Sequence, residues 1–299
     1  QMNFELREIG NQINSLAQRI AQLNEQIYEA KARKQNPNDL LDQRDKLVQE
    51  LSRLTGATVE VESNGSATVY IGRDVLVHRN TVREVYWKQN AERGKGGGDL
   101  TWRDNDQALQ IDGGVAYGKL VVRDDAVPEA LSDLDELADT LRDRVNELHL
   151  QGIGRDGSTG TLFWRADTSG AVGIEVNPDL LISPERLAAS TVSATGDNAL
   201  AHQMFELQFE EEFNGGKTAF NDFYHGIVTR IGNRVQEASA REEAASAGLE
   251  QAKTWQQHIS GVNLDEEMAN MVQLQHAYTA AARVTSAVDE LITTLLQMV

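Results

Sequence analysis

Six histidines, His78, His149, His202, His225, His258 and His276, are the side chains in this sequence best suited to metal ligation or to proton transfer near neutral pH. None forms an H-x-x-x-H or H-E-x-x-H pair, the spacing that sets two imidazoles on one helical face around zinc. Asp104-Asn105-Asp106 opens like a calcium loop but lacks the glycine at the sixth place and the closing glutamate, so it reads as a solvated turn. Gly94-Lys95-Gly96 lacks the interval and the hydroxyl residue of a phosphate-binding loop and reads as a flexible loop. No G-x-S-x-G elbow occurs, and Asp156-Gly157-Ser158 reads as a β-turn. Glu210, Glu211 and Glu212 read as a solvated acidic face. The sequence therefore predicts no enzyme, no cofactor and no metal site, although a Ser–His–Asp set from distant segments follows no sequence order and leaves a hydrolase on the β segment as an open alternative.

The absence of cysteine removes disulfides, thiolate metal sites and a cysteine nucleophile. Twenty-eight Lys and Arg against 46 Asp and Glu give a net charge of −18 and a pI near 4.7, a field that repels phosphate backbones and anionic lipid. Neither nucleic acid nor a membrane is expected as a partner. The apolar run Leu291 to Val299 is far shorter than the roughly 20 residues of a membrane span. Gln1-Met2 leads straight into a helical pattern, so no cleavable secretory signal peptide is expected.

The elements that would carry any function alternate between two hydrophobic periods. Leu6, Ile9, Ile13, Leu16, Ile20, Leu23 and Ile27 form a heptad seam that stops at Asn36-Pro37, and Leu40, Leu47, Leu51 and Leu54 mark a second helix ending at Gly56. From Thr58 the period becomes two, with Val59 and Val61, a turn at Asn64-Gly65, then Ala67, Val69 and Ile71. Apolar runs at Val75 to Val77, Val82 to Trp87, Leu100 to Trp102, Leu109 to Ile111 and Leu120 to Val122 continue the β character. Heptads resume after Pro128 with Leu131, Leu134, Ala138, Leu141, Val145 and Leu148. The predicted fold is α+β and mainly α, a long coiled-coil-like helical bundle with an inserted small β domain and a hairpin-rich loop region. Its expected parts are the first bundle segment 1–56, the β domain 57–125 as a separate lobe, the second bundle segment 126–259 with hairpins at 152–193 and a short acidic helix over Asn198–Glu212, and a terminal helix within 260–299.

The terminal helix carries more apolar surface than one partner can cover. Asn263 and Glu266 form a capping-box pattern, with Asp265 and Glu267 completing an acidic first turn. Leu274, Ala281, Val284, Val288, Leu291 and Leu295 lie on one heptad line, and Met271, Tyr278 and Ile292 lie on a second beside it. A face of that size predicts an association surface, so these nine residues are the candidate partner-binding set.

Ser260-Gly261-Val262-Asn263-Leu264-Asp265-Glu266-Glu267-Met268-Ala269-Asn270, followed by Gln273-Leu274-Gln275, Ala277-Tyr278 and Ala280-Ala281-Ala282-Arg283-Val284, resembles the C-terminal helix of flagellar axial proteins. Rod and hook proteins share a related ending. Asn38 to Asp45, Gly118-Lys119-Leu120 with Arg123-Asp124, the Leu137 to Gly152 helix, Gly196 to Ala199 and Tyr224 to Arg234 are similar to the hook-associated protein 1, or FlgK, family. The resemblance implies a structural subunit at the junction of hook and filament, polymerising with copies of itself. It further implies contacts with hook protein, with hook-associated protein 3 and with a dedicated export chaperone at the terminal helix. It also implies an extracellular place in the flagellum reached through the flagellar export apparatus, and a family segment upstream of Gln1 that pairs with the terminal helix. The alternatives are another axial protein of rod or hook type, or an acidic secreted coiled-coil adhesin or effector.

Overall fold

The computed structural model describes residues 1–93, 97–192, 196–260 and 264–297, with side chains throughout except at 259–260, 264–266 and 291–297. The chain forms two units, 1–231 and 232–299. The heptad pattern predicts the first helix, α1 (Met2–Ala32), which buries Leu6, Ile9, Ile13, Leu16, Ile20 and Ile27. Helix α2 (Asn38–Thr55) buries Leu47, Val48, Leu51 and Leu54 and closes at Gly56, whose left-handed φ of 70° lets its N–H reach the Ser52 carbonyl. Fully burying a leucine or isoleucine such as Leu51 or Ile13 contributes about 1.5–3 kcal/mol.

Strands β1 (Thr58–Val61), β2 (Ala67–Ile71), β3 (Asp74–His78) and β4 (Thr81–Val82) form an antiparallel sheet in that order, with Val59 opposite Val69. A separate ribbon pairs β5 (Val85–Gln89) with β6 (Gly98–Trp102). The run read as one strand from Val82 to Trp87 is thus divided between two sheets. The Leu109 to Ile111 run forms no strand; Leu109 and Ile111 pack into the core as loop residues.

The β segment is not the separate lobe that its change of period predicts. Val69, Ile71, Leu76, Val77, Val85, Leu100 and Trp102 share one apolar cluster with Ile13, Leu16 and Ile20 of α1 and Leu47 and Leu51 of α2. Short sheets cannot bury a face by themselves, and α1 offers more than a heptad seam. Two of its polar residues serve as strand partners: Asn24 donates to the carbonyls of Ala67 and Arg79, both at 2.8 Å, and accepts from the Ala67 N–H, while Asn14 donates to the Val85 carbonyl at 2.6 Å and accepts from its N–H. Arg44 of α2 is buried too, donating to the Gly65 carbonyl at 2.6 Å.

Beyond the sheets the sequence reading fails at a helix boundary. Leu120 to Val122, expected as a strand, lies in one long helical stretch made of α3 (Gly114–Val121), a π-helical turn (Val122–Ala126) and α4 (Val127–Gln151). Proline at 128 suits a helix start, and here the helix runs through it instead. The stretch begins where backbones touch: Gly56 and Gly114 both have positive φ, and a Cβ on Gly56 would stand 2.8 Å from the Gly113 Cα, one on Gly114 2.6 Å from the Leu54 carbonyl carbon.

Residues 152–192 and 196–219 fold as short pieces against α4. Strand β7 (Ile153–Gly154) pairs with β8 (Ala188–Ser190), and α5 (Gly170–Gly173), α6 (Pro178–Ile182) and α7 (Ala199–Glu206) lie around them. The helix expected to reach Glu212 ends at Glu206, because β9 (Glu211–Phe213) pairs with β10 (Thr218–Ala219). His149 secures this region: fully buried, its Nδ1 donates to the Thr161 carbonyl at 2.6 Å and its Nε2 accepts from the Ala188 N–H at 2.9 Å. Helix α8 (Phe220–Ser260) contributes Phe220, Phe223 and Ile227 to a second apolar cluster with Phe213, against half-buried Leu134, Leu137 and Leu141 of α4. The expected single bundle is therefore two cores: the face of α4 meets α8 and the short pieces, and that of α1 meets α2 and the sheets. The architecture is mainly α with small antiparallel sheets.

Candidate assembly surface

The second unit holds the rest of α8 and α9 (Leu264–Gln297). The spacing of Met271, Leu274, Tyr278, Ala281, Val284 and Val288 predicts a helix, and all six lie on α9 with exposed side chains, 55% at Met271, 70% at Leu274 and 79% at Tyr278. Leu291, Ile292 and Leu295 belong to the same helix by their backbone, and their side chains lie outside the described residues, as do the expected cap Asn263 and the side chains of Asp265 and Glu266. Thr279 and Thr285 donate their hydroxyls back to the carbonyls of Gln275 and Ala281, so neither brings an unmet polar demand to the face. Met268 and Val272 widen the exposed apolar surface.

Sequence reasoning missed Val235, Leu249 and Trp255 on α8, exposed at 62%, 56% and 71%. All three fall in the segment 126–259 whose pattern predicts bundle packing. The signal was the alanine- and glutamate-rich stretch 237–248, which interrupts the apolar period that Phe220, Phe223 and Ile227 begin.

Several of the residues considered for chemistry have other partners. Asp104 pairs with Arg83, which stacks over Trp102 at 4.2 Å, and the guanidinium holds the Asp104 carboxyl below the usual carboxylate range. Asp106 accepts from the Tyr86 hydroxyl and from Lys88, which lower it in the same way. Glu210 and Glu212 are not a solvated face: Arg144 of α4 lies 2.9 Å and 2.7 Å from them and also pairs with Glu147. The aspartate of Asp156-Gly157-Ser158 accepts from the Ser158 N–H at 2.9 Å, closing a tight turn. His202 lies beside Glu206 in an exposed pair, and His78 lies beside the half-buried Glu62. Gly94-Lys95-Gly96 lies outside the described residues. Among the described residues no three or more His, Cys, Asp or Glu gather as a metal site, and no helix is long and apolar enough to cross a membrane.

The apolar side chains described on α9 form a geometry suited to binding. The family model for the flagellar hook-associated protein FlgK helical domain matches residues 1–164, and that for the flagellar basal body rod FlgEFG protein C-terminal region matches 257–298. Flagellar hook-associated protein 1 of Bacillus subtilis (strain 168) is 29% identical over 97% of this chain, which spans 64% of the length of that relative. The proteins of the same name from Escherichia coli (strain K12) and Salmonella typhimurium (strain LT2) are 26% and 23% identical over the whole chain, which spans 71% and 72% of them. The Escherichia coli alignment runs to 394 positions, so that relative carries further residues inside the matched span. Among solved structures, the flagellar hook junction protein FlgK from Burkholderia pseudomallei matches 56% of this chain and 31% of its own at a TM-score of 0.50 and 30% identity. With more than half of its length matched by the helical-domain model, the chain belongs to the FlgK family of flagellar hook-associated proteins.

Proposed function

We propose that this chain is a structural subunit of the junction between flagellar hook and filament, and that it works by repeated contacts between subunits rather than by turnover of a substrate. The observation that carries this reading is the uncovered apolar face of α9, from Met271 through Leu274, Tyr278, Ala281, Val284 and Val288. The pattern extends in sequence through Leu291, Ile292 and Leu295. Side chains that each gain about 1.5–3 kcal/mol on full burial give such a face a strong drive to find partners, even after the cost of ordering them.

The partners in this reading are other copies of the chain, hook protein and hook-associated protein 3, with a dedicated export chaperone on α9 before assembly. The site of action is the extracellular flagellum, reached through the flagellar export apparatus. The rod-type match over 257–298 favours a second reading, in which the chain is a rod or hook subunit; the helical-domain match over 1–164 weighs against it.

The test is complementation of motility in cells lacking the gene, with Leu274→Asp/Val288→Asp compared with the unaltered chain. Loss of filaments, with hooks intact and the altered chain folded, supports the junction role. Normal swimming by the double variant removes α9 from the mechanism, and loss of the hook itself points to the rod or hook reading.

A further inference from the structure

The helical stretch that joins the two apolar clusters of residues 1–231 is not uniform. Ala116 and the half-buried Leu120 belong to the cluster of α1, α2 and the sheets, and Leu134, Leu137 and Leu141 belong to the cluster of Phe213, Phe220, Phe223 and Ile227. Between them lies the π-helical turn, where the Val127 N–H reaches the Val122 carbonyl five residues back. Pro128 supplies the cause. It has no N–H to donate, and in an uninterrupted α-helix its ring would collide with the Asp124 carbonyl one turn earlier. Widening the helix relieves that collision. No residue of the turn is buried, so apolar packing does not fix the angle there.

What holds the turn is polar. The Arg123 side chain, 11% exposed, donates to the Gly98 carbonyl at 2.7 Å, to Asp99 at 3.1 Å and to Asp124 at 2.6 Å. Arg93 reaches Asp99 at 3.2 Å and also pairs with Asp124. Asn3 accepts from Arg123 at 3.4 Å, and Lys119 pairs with Glu5 one turn before the widened segment. These bonds tie the turn to the β5–β6 ribbon and to the start of α1, which both belong to the first cluster.

We propose that the turn at Val122–Ala126 is a hinge between the two clusters and that Arg93, Asp99, Arg123 and Asp124 form its latch. Releasing ion pairs with partly exposed partners costs far less than opening an apolar core, so the angle between the clusters can change while both stay intact. The helix is then stiff along its length and compliant at one turn. This inference rests on residues 1–231 and stands apart from the role given to α9.

The chain has no cysteine, so Gln49→Cys on α2 and Gln203→Cys on α7 give a unique spin-label pair, one on each side of the turn. Double electron–electron resonance on the full chain reads the distance between them. With the latch intact a single narrow distance is expected. Arg123→Gln should broaden and shift the distribution while circular dichroism shows unchanged helix content, and adding Pro128→Ala to that variant should narrow it again. An unchanged distribution in Arg123→Gln overturns the hinge, as does broadening that Pro128→Ala leaves in place. Should Arg123→Gln lose helix content, Asp99→Asn releases the same latch from the ribbon side and decides by the same readout.

Discussion

Helices α1 and α9 are close in length, 31 and 34 residues, and both carry heptad seams, yet α1 buries ten of its residues while every described side chain of α9 lies exposed. Periodicity shows that a helix has a face to cover; what covers it depends on residues far away in sequence. For α1 the cover is in the same chain, in the leucines of α2 and the valines of β2 and β3. On α9 the described side chains lie exposed instead. Identical sequence logic thus leads to a core in one region and to an exposed apolar face in the other.

The contrast can be broken from either side. Ile13→Asp places an unpaired carboxylate at a fully buried position in the first cluster, and the expected loss of more than about 4 kcal/mol unfolds that part of the chain in a thermal melt. His149→Ala leaves the Thr161 carbonyl and the Ala188 N–H without their partner, for an expected loss of about 2–4 kcal/mol by chemical denaturation. A melt that hardly moves would mean water replaces the imidazole.

A smaller effect is expected in acid. Asp197 accepts from the N–H groups of Ala199, Thr191 and Val192, which hold its carboxyl below the usual range. A depressed folded-state value stabilises above the unfolded value and is lost as pH falls through the folded one. The melting temperature should therefore be steady down to about pH 4 and decline below it, less steeply in Asp197→Asn. The smallest change in stability, within about 0.5 kcal/mol, is expected for Leu274→Asp on α9, because its side chain is already in water. A loss comparable to that of Ile13→Asp would show α9 to be part of a core and erase the contrast.

Much of the molecule was legible where one pattern dominated: α1, α2 and α9 are helices where the heptads place them, and the β1–β2 hairpin turns at Asn64-Gly65 as expected, although Val59 and Val61 of β1 stay exposed. The failures have local causes. Pro128 carries two meanings, helix start and helix distortion, and the second requires knowing that Gly114 to Val121 is already helical. Asn14 and Asn24 read as polar spacers because their partners, the backbones of Val85 and Ala67, are distant in sequence. His149 gave no metal-binding pattern, and its actual work, bridging a loop carbonyl and a strand N–H, has no sequence signature. In the candidate surface the line through Met271, Leu274 and Tyr278 was readable, whereas Trp255 was hidden by the expectation that α8 packs along its whole length.

The meeting of Gly56 with Gly113 has a consequence for how the fold can vary over generations. The chain leaves the helices at Gly56 and returns to the same point at Gly113, so the excursion through both sheets closes on itself before α3 begins. Lengthening a surface turn within it adds little closure entropy and shifts neither helix. A single methyl group at Gly56 or Gly114, by contrast, meets a neighbouring backbone and should be purged.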